Sequence, residues 1–331
     1  MPMQAAAQAQ PNIALIKYWG KRDERLNVPA VPSLSITLES LWTRTQVRFD
    51  ETLGEDRFML DGKRDDAQFQ RVSAMLERLR HHAGVSTFAD VRSFNNFPTG
   101  AGLASSASGF AALVVAAIHA LGLVLPLAEL SALARQGSAS AARSIFGGFV
   151  EMACGSRDDG QDAIARPLLA ASSWPLEVAV AITAPGPKSI GSSMGMVHTA
   201  RTSPFYRGWI EDAPRRLEVA REAVIARDFE RLAEVSEASC LAMHGLALSA
   251  SPGLLYWNGV TVELMHCVRE LRSAGTPVFF TVDAGPQLKA VCLPGWSRDV
   301  AQCLAEVPGV REVRLSGLGD GARVLESKEA I

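Results

Sequence analysis

Between Pro98 and Ala107 the chain reads Pro-Thr-Gly-Ala-Gly-Leu-Ala-Ser-Ser-Ala. Gly100, Ala101, Gly102, Leu103 and Ala104 make a run with little bulk, and small residues let a backbone come close to phosphate oxygens. A helix is expected to follow, through residue 121. Its first turn would offer unpaired N–H groups and the positive end of a dipole. Ser105 and Ser106 add hydroxyls that can bind phosphate oxygens or a metal ion. The stretch therefore suits a nucleoside triphosphate. It is not a Walker A loop, because no Gly-Lys-Ser/Thr follows. Gly100-x-Gly102 half-matches a dinucleotide loop, but Ser105 takes the third glycine position and Pro98 stands where a tight turn would start. A serine-capped helix with small residues for close packing would read the same way.

Three further groups carry chemistry. Lys17-Tyr18-Trp19-Gly20-Lys21-Arg22 puts three cations and two aromatics within six residues. Lysine acts as a point charge on phosphates, so the cluster could hold a diphosphate. The alternative is a solvated loop with Tyr18 and Trp19 in the core. Ser138-Ala139-Ser140-Ala141-Ala142-Arg143 alternates hydroxyls with small residues before an arginine. Hydroxyls beside a planar guanidinium can grip a carboxylate in two places. A closely packed small-residue helix with Arg143 in water is the competing reading. Thr281-Val282-Asp283-Ala284-Gly285-Pro286 ends an apolar run on an acid. Asp283 is either a reacting carboxylate or an ordinary turn acid.

These groups need elements to position them. Strands are expected at 12–18, 33–38, 43–49 and 91–97, from alternation and β-branched residues. Asp61-Gly62 reads as a turn. Phe69, Val72, Met75, Leu76 and Leu79 form one face of a helix, and Arg71 lies off that face. Two helical pieces flank 137–143, and 176–184 is a strand. Helices are expected over 203–226, 229–250 and 254–274. Strands at 278–283, 288–292 and 310–315 surround a helix at 299–306. The Pro185-Gly186-Pro187 break divides the chain into domains 1–184 and 185–331. Mixed strands and helices in two lobes give an α+β fold class.

Composition narrows the function. With 331 residues, 48% hydrophobic and 21% charged, a sizeable core is available. The formal net charge of −2 argues against binding nucleic acid or an anionic membrane through bulk charge. Any phosphate must be held by a local site. Cys154, Cys240, Cys267, Cys292 and Cys303 are scattered, without a CxxC pair. Reduced thiols in the cytoplasm are expected, and no bound metal. The start shows no signal-peptide pattern. The apolar run at 109–125 is broken by His119 and Gly122 and falls short of the ~20 residues that span a bilayer.

Pro98, Gly102, Leu103, Ala104, Ser105, Ser106 and Ala107 resemble the phosphate-binding motif of the GHMP kinase superfamily. Four other segments resemble one of its families, the mevalonate diphosphate decarboxylases. They are the segment 12–23, Asn95-Asn96-Phe97, Gly137 to Ser144, and Thr281 to Pro286. The resemblance implies a two-lobed fold. Its N-terminal domain would be ribosomal-protein-like, with a left-handed crossover, and would bind ATP. Its C-terminal domain would be ferredoxin-like. It also implies a homodimer and a cleft between the lobes.

The activity implied is ATP-dependent decarboxylation of mevalonate 5-diphosphate to isopentenyl diphosphate, with ADP, phosphate and CO2, in isoprenoid biosynthesis. ATP, carrying Mg²⁺, would lie on Asn95, Pro98 and Gly100 to Ser106. Asp283 would accept the proton of the tertiary hydroxyl or orient it. Lys17 would offset charge there, and Arg143, with Ser140 beside it, would hold the carboxylate. Tyr18, Trp19, Gly20, Lys21, Arg71, Ser138 to Ala142, Ser192 and Ser193 would line the diphosphate region. His244, in Met243-His244-Gly245, matches a family histidine and would support the cleft.

Three positions depart from the family pattern: Val31-Pro32, Met152 in place of tryptophan, and Gln287 in place of asparagine. They leave the phosphorylation state of the substrate open. The rival activities are a mevalonate 3-kinase and a mevalonate-phosphate decarboxylase. A non-catalytic nucleotide-binding regulator is the rival from another class.

Overall fold

The computed structural model describes residues 3–98, 103–184, 186 and 190–326. Gly100, Ala101 and Gly102 of the expected phosphate loop lie outside these, as do Pro185 and Pro187 of the expected boundary. The first stretch runs β1 (Gln4–Ala9), β2 (Asn12–Ile16), β3 (Lys21–Asp23), β4 (Val28–Pro29), β5 (Ser33–Thr37), β6 (Thr43–Phe49), β7 (Arg57–Leu60) and β8 (Lys63–Arg64). It continues through α1 (Asp66–Ala83), β9 (Ala89–Asn95), α2 (Ser105–Ala120), α3 (Leu127–Gly137), α4 (Ala141–Ser144), β10 (Phe149–Met152), β11 (Ala165–Leu169) and β12 (Glu177–Ile182). The second runs α5 (Ser192–Thr202), α6 (Tyr206–Ala226), α7 (Phe229–Leu248), α8 (Gly259–Ser273), β13 (Val278–Val282), β14 (Leu288–Cys292), α9 (Ser297–Glu306), β15 (Glu312–Ser316) and β16 (Arg323–Val324).

Among the described residues the strands form three larger sheets. One has the order β16-β1-β6-β9-β7-β8, a second β11-β10-β5-β2, and a third β13-β14-β12-β15. The α+β class expected from the sequence is what is found. The third sheet contains β12, which precedes the Pro-Gly-Pro break yet pairs antiparallel with both β14 and β15. By hydrogen bonding this strand belongs with the C-terminal elements. β16 does the converse, returning the chain end to β1.

Helix α2 is apolar on almost every side, and from Ala107 to Ala120 only Gly109 and His119 escape burial. It lies on β1 and β6. An all-round apolar helix is stable only when enclosed. That enclosure fixes its N-terminus at the mouth of the molecule. Helix α7 packs on both β2 and β13, so one rigid element sets where the ends of these two strands meet. Glu151 on β10 and Arg221 on α6 add a two-pronged ion pair, 2.9 Å and 2.7 Å, between the N- and C-terminal halves.

Gly20 follows the Lys17-Tyr18-Trp19 run with φ +115°. L side chains rarely adopt that conformation, and a Cβ there would collide with the Tyr206 hydroxyl. The turn it makes lets Trp19 enter the core while Lys21 returns to the cleft. Gln287, one of the departures, also has a structural task. Its Oε1 accepts from Thr183 N at 2.6 Å and its Nε2 donates to Ala184 O. The side chain thus ties the end of β12 to the turn that carries Asp283.

Candidate active site

A cleft of about 410 Å³ opens where these elements converge. Its walls come from the end of β2, the start of α2, the 138–143 segment, the start of α5 and the end of β13. Lys17, Tyr18, Trp19, Lys21, Arg71, Ala104, Ser105, Ser106, Ser138, Ala139, Ser140, Arg143, Ser192, Ser193 and Asp283 all border it. Residues spread over most of the chain thus meet in one space.

The centre is a charge cluster. Lys17 Nζ lies 2.6 Å from Asp283 Oδ1, and Lys289 Nζ lies 3.2 Å from Asp283 Oδ2. Both lysine side chains are 1% exposed, while the carboxylate is 23% exposed and open to the cleft. Burial pushes the Asp283 carboxyl up, but the two ammonium groups outweigh it and hold it well below the usual carboxylate range. Burial pushes the Lys289 ammonium down, partly offset by Asp283. Lys289 was not among the residues expected from the sequence. The only signal is a lysine inside the apolar strand Leu288-Lys289-Ala290-Val291-Cys292.

Arg143 is 3% exposed rather than solvated. Its Nε donates to Asn12 Oδ1 at 3.0 Å and its Nη1 to Ser33 Oγ at 2.9 Å. Asn12 in turn donates to Ser144 Oγ at 2.8 Å and Ser140 O at 3.0 Å. The guanidinium is therefore oriented before any ligand arrives. Burial pushes it down to about 10, against the pull of Asp283 and Tyr18. A buried guanidinium gains most when a carboxylate reaches it.

The phosphate loop ends on Ala104, which has φ +57° and supplies no side-chain cap to α2. The serine-capped reading of this stretch is thereby set aside. The hydroxyls of Ser105 and Ser106 stand in the first turn instead. Ser106 Oγ lies 3.2 Å from Ser138 Oγ, which lies 3.5 Å from Ser140 Oγ. A file of hydroxyls joins the loop to the Arg143 segment. Asn95 shares a hydrogen bond with Thr43 Oγ1 and, with Ser105 and Ser106, borders a recess of about 60 Å³ beside the cleft. Pro98 and Leu103 flank the undescribed residues, with Leu103 2% exposed in the core.

The region expected to take a diphosphate is cationic at its rim. Lys21 Nζ donates to Ser193 Oγ at 3.1 Å. Arg71 Nη2 donates to Gly137 O at 3.1 Å, and its guanidinium lies 4.8 Å from the Phe110 ring centroid. Burial lowers the Lys21 ammonium and Arg71 adds to that, while Glu24 opposes both. The Tyr18 hydroxyl is buried without a hydrogen-bond partner among the described residues, and its burial pushes the phenol well up. A phosphate oxygen would supply the missing acceptor. Ser192 and Ser193 open α5, a helix the sequence reading did not foresee.

Some expected residues point elsewhere. Ala141 and Ala142 are fully buried in the core beneath α2 and do not border the cleft. Trp19 borders it but is 1% exposed. Its Nε1 donates to Thr199 Oγ1 at 2.7 Å and its carbonyl accepts from Trp209 Nε1 at 2.8 Å. His244 donates from Nε2 to Val282 O at 3.1 Å and packs at a tilt against Trp257, with ring centroids 4.5 Å apart. Burial pushes its imidazole down to about 3, so it supports the Asp283 strand as a neutral ring.

Comparison with known proteins agrees with this arrangement. Residues 9–165 match the family model described as diphosphomevalonate decarboxylase-like N-terminal domain, and residues 178–310 match the mevalonate 5-diphosphate decarboxylase C-terminal domain. The diphosphomevalonate decarboxylase of Candida albicans is 34% identical, over 99% of this chain and 99% of its own length. A solved structure of MDDEF in complex with MVAPP, AMPPCP and magnesium superposes with a TM-score of 0.91 at 39% identity, covering 98% of this chain and 99% of that one. The mevalonate diphosphate decarboxylase from Enterococcus faecalis, solved to describe mevalonate diphosphate mediated ATP binding, gives 0.89 at 38% identity with the same coverage.

Proposed function

The chain belongs to the diphosphomevalonate decarboxylase family, and from that premise we propose how its own residues perform the family's reaction. The enzyme is an ATP-dependent carboxy-lyase that converts mevalonate 5-diphosphate, with ATP, into isopentenyl diphosphate, ADP, phosphate and CO2. Its fold is the two-lobed one of the GHMP kinase type. The observation that carries the mechanism is the convergence of Asp283, Lys17 and Arg143 on one cleft with the α2 serines.

ATP lies with its phosphates against the start of α2, on the hydroxyls of Ser105 and Ser106. Magnesium, carried by ATP, offsets phosphate charge. The uncapped first turn, the hydroxyl file and the cationic rim fit such an anion. Arg143 grips the substrate carboxylate, with Ser140 beside it. Tyr18, Lys21, Arg71, Ser138, Ser192 and Ser193 take the diphosphate. That places the tertiary hydroxyl against the exposed edge of Asp283. A carboxylate held so far below its usual range is a weak base, so Asp283 serves first as an orienting acceptor and takes the hydroxyl proton only as the O–P bond forms and makes that proton strongly acidic. Phosphoryl transfer with a loose transition state asks little more, because positioning and charge dominate it. Lys17 offsets charge at the oxygen. Once phosphorylated, that oxygen leaves as phosphate. The carboxylate then departs as CO2, and the C–C bonding pair forms the new double bond.

A panel of mevalonate, its 5-phosphate and its 5-diphosphate, each with ATP, tests this reading. ADP and CO2 should appear together and fastest with the 5-diphosphate. ADP without CO2 would make it a 3-kinase, and preference for the monophosphate would move it to the neighbouring decarboxylase. We divide the chain into functional domains at 1–184 and 185–331, with β12 lent to the third sheet. We also place the enzyme in the cytoplasm as a homodimer. All five cysteines are free thiols, which suits a reducing compartment. Light scattering on the purified protein tests the dimer.

A further inference from the structure

Lys289 is a fully buried cation, 1% exposed, that lies against the cleft and has so far been given no task. It sits on β14, inside the third sheet, opposite Val180 of β12 and Thr281 of β13. Every residue of β14 is buried. A bare ammonium there would cost several kcal/mol, and an apolar side chain would fill a strand interior without that cost. Something must hold the lysine in place, and its contact with Asp283 Oδ2 at 3.2 Å is where its ammonium reaches the cleft.

One carboxylate thus serves two ammonium groups, one on each oxygen. Oδ1 takes Lys17, the residue after β2, and Oδ2 takes Lys289 from β14. Two anchors stop the carboxylate from rotating about its terminal bond, where a single pair would leave it a hinge. Among the described residues, the other charged and titratable groups facing the cluster are Arg143 from α4, Tyr18 beside it, and Cys240 and His244 from α7. Burial keeps Cys240 a thiol and His244 a neutral ring. Among these described residues, three cations, Lys17, Lys289 and Arg143, face the one carboxylate of Asp283.

We propose that Lys289 is a positioning residue for phosphoryl transfer, fixing the Asp283 carboxylate against the substrate hydroxyl and lending the centre the extra positive charge an entering anion offsets. The proposal rests on the reaction assigned above, because it needs an acceptor at Asp283 and an anion beside it. Lys289 itself does not touch the substrate in this account. Its influence passes through Asp283.

The test uses the full-length protein and Lys289→Met, which keeps the length and apolar stem but removes the charge. Lys289→Gln is made alongside, in case the methionine variant does not fold. Two readouts are needed. The first needs no substrate: protein labelled with ¹³C at the aspartate carboxyls, with the Asp283 signal assigned by its loss in Asp283→Asn. In the wild type that carbon should stay ionised to the lowest pH at which the protein is folded. In the variant its titration should move up by about one pH unit or more, since a single opposite charge this close typically shifts a carboxyl by that much. The second is turnover of mevalonate 5-diphosphate with ATP. A folded variant should lose about tenfold or more in kcat, with KM changed less than threefold. The acid limb of its kcat profile should rise with the carboxyl.

An unmoved Asp283 titration in either folded variant overturns the proposal. So does a titration that moves while kcat and its pH profile stay as in the wild type. Should the wild type fail to release CO2 from the diphosphate, the assigned reaction falls. The carboxyl titration would still report whether Lys289 governs Asp283.

Discussion

Lys17 and Asp283 are 266 residues apart in sequence and 2.6 Å apart in space, Nζ to Oδ1. The contact joins the end of β2 to the end of β13, and helix α7 holds both strands. Lys17 N also donates to Ser239 Oγ of that helix at 2.9 Å. The Asp283 carboxylate is therefore placed by the packing of the core rather than by its own turn.

Asp283→Asn should lower turnover by ~10²-fold or more. The amide can still orient a hydroxyl, but it cannot carry the charge or accept the proton. The variant should also lose stability. Two ammonium groups, each 1% exposed, would face a neutral amide. Removing one partner of a buried pair commonly costs ~3 kcal/mol or more. Thermal melting and kinetics on the same preparation check both effects. Near-normal turnover would remove Asp283 from the reacting centre, and an unchanged melt would remove the two-lysine account of its surroundings.

Arg143→Lys should impair catalysis clearly, by roughly tenfold or more, and Arg143→Ala further. Lysine has the charge but not the fork. It cannot keep the bonds to Asn12 and Ser33 while presenting two N–H groups to a carboxylate. Steady-state kinetics on folded variants decide this. Wild-type behaviour from the lysine variant would leave Arg143 a structural cation.

That Asp283, Lys17 and Arg143 would border one cleft was legible because each is a charged residue at the end of an apolar or small-residue run. Lys289 was not, since a lone lysine in a strand ordinarily marks an exposed face, and only the neighbouring strands reveal that both faces are covered. Ala141 and Ala142 share their segment with Ser138 and Ser140, so composition alone could not separate cleft from core. Helix α5 opens with Ser192-Ser193 and carries Gly195, small residues that read as loop until α7 and Trp19 pack on them. β1 is mostly alanine and glutamine. Its strand character comes from pairing with β6 and from α2 lying on it, which local propensity does not contain. The allegiance of β12 is likewise a matter of long-range pairing, and the Pro-Gly-Pro break falls on its far side.

Ser106→Ala should reduce turnover by about ten- to a hundredfold, the worth of one charge-assisted contact of ~1.5–3 kcal/mol. Ser106 is half-buried at the start of α2, and among the described residues its Oγ meets another hydroxyl, that of Ser138, at 3.2 Å. Removing it leaves no charged group stranded, so the melt should hardly move. Kinetics with ATP varied should place the loss on nucleotide use. An unchanged rate would take the triphosphate off this hydroxyl.

His244 gives a prediction about pH. Its ring is 2% exposed, packed on Trp257 and donating to Val282 O, and burial pushes its imidazole from the ordinary 6.5 down to about 3. In the unfolded chain the ring takes a proton below about pH 6.5. In the folded chain it resists one until about pH 3. The unfolded state thus binds more protons across that window, so stability falls as the pH drops through it. At about 1.4 kcal/mol per pH unit, the contribution lost between pH 6.5 and 4.5 is roughly 2 to 3 kcal/mol. His244→Gln keeps an N–H for Val282 O but has nothing to titrate. Some packing on Trp257 is lost, so the variant should be less stable than wild type at pH 7. It should nevertheless lose less on acidification, and the two stability curves should converge toward pH 4.5. Denaturant unfolding at several pH values measures both slopes. Parallel slopes would mean that the acid sensitivity of the fold lies elsewhere, and that the ring under Asp283 is not what the proton attacks first.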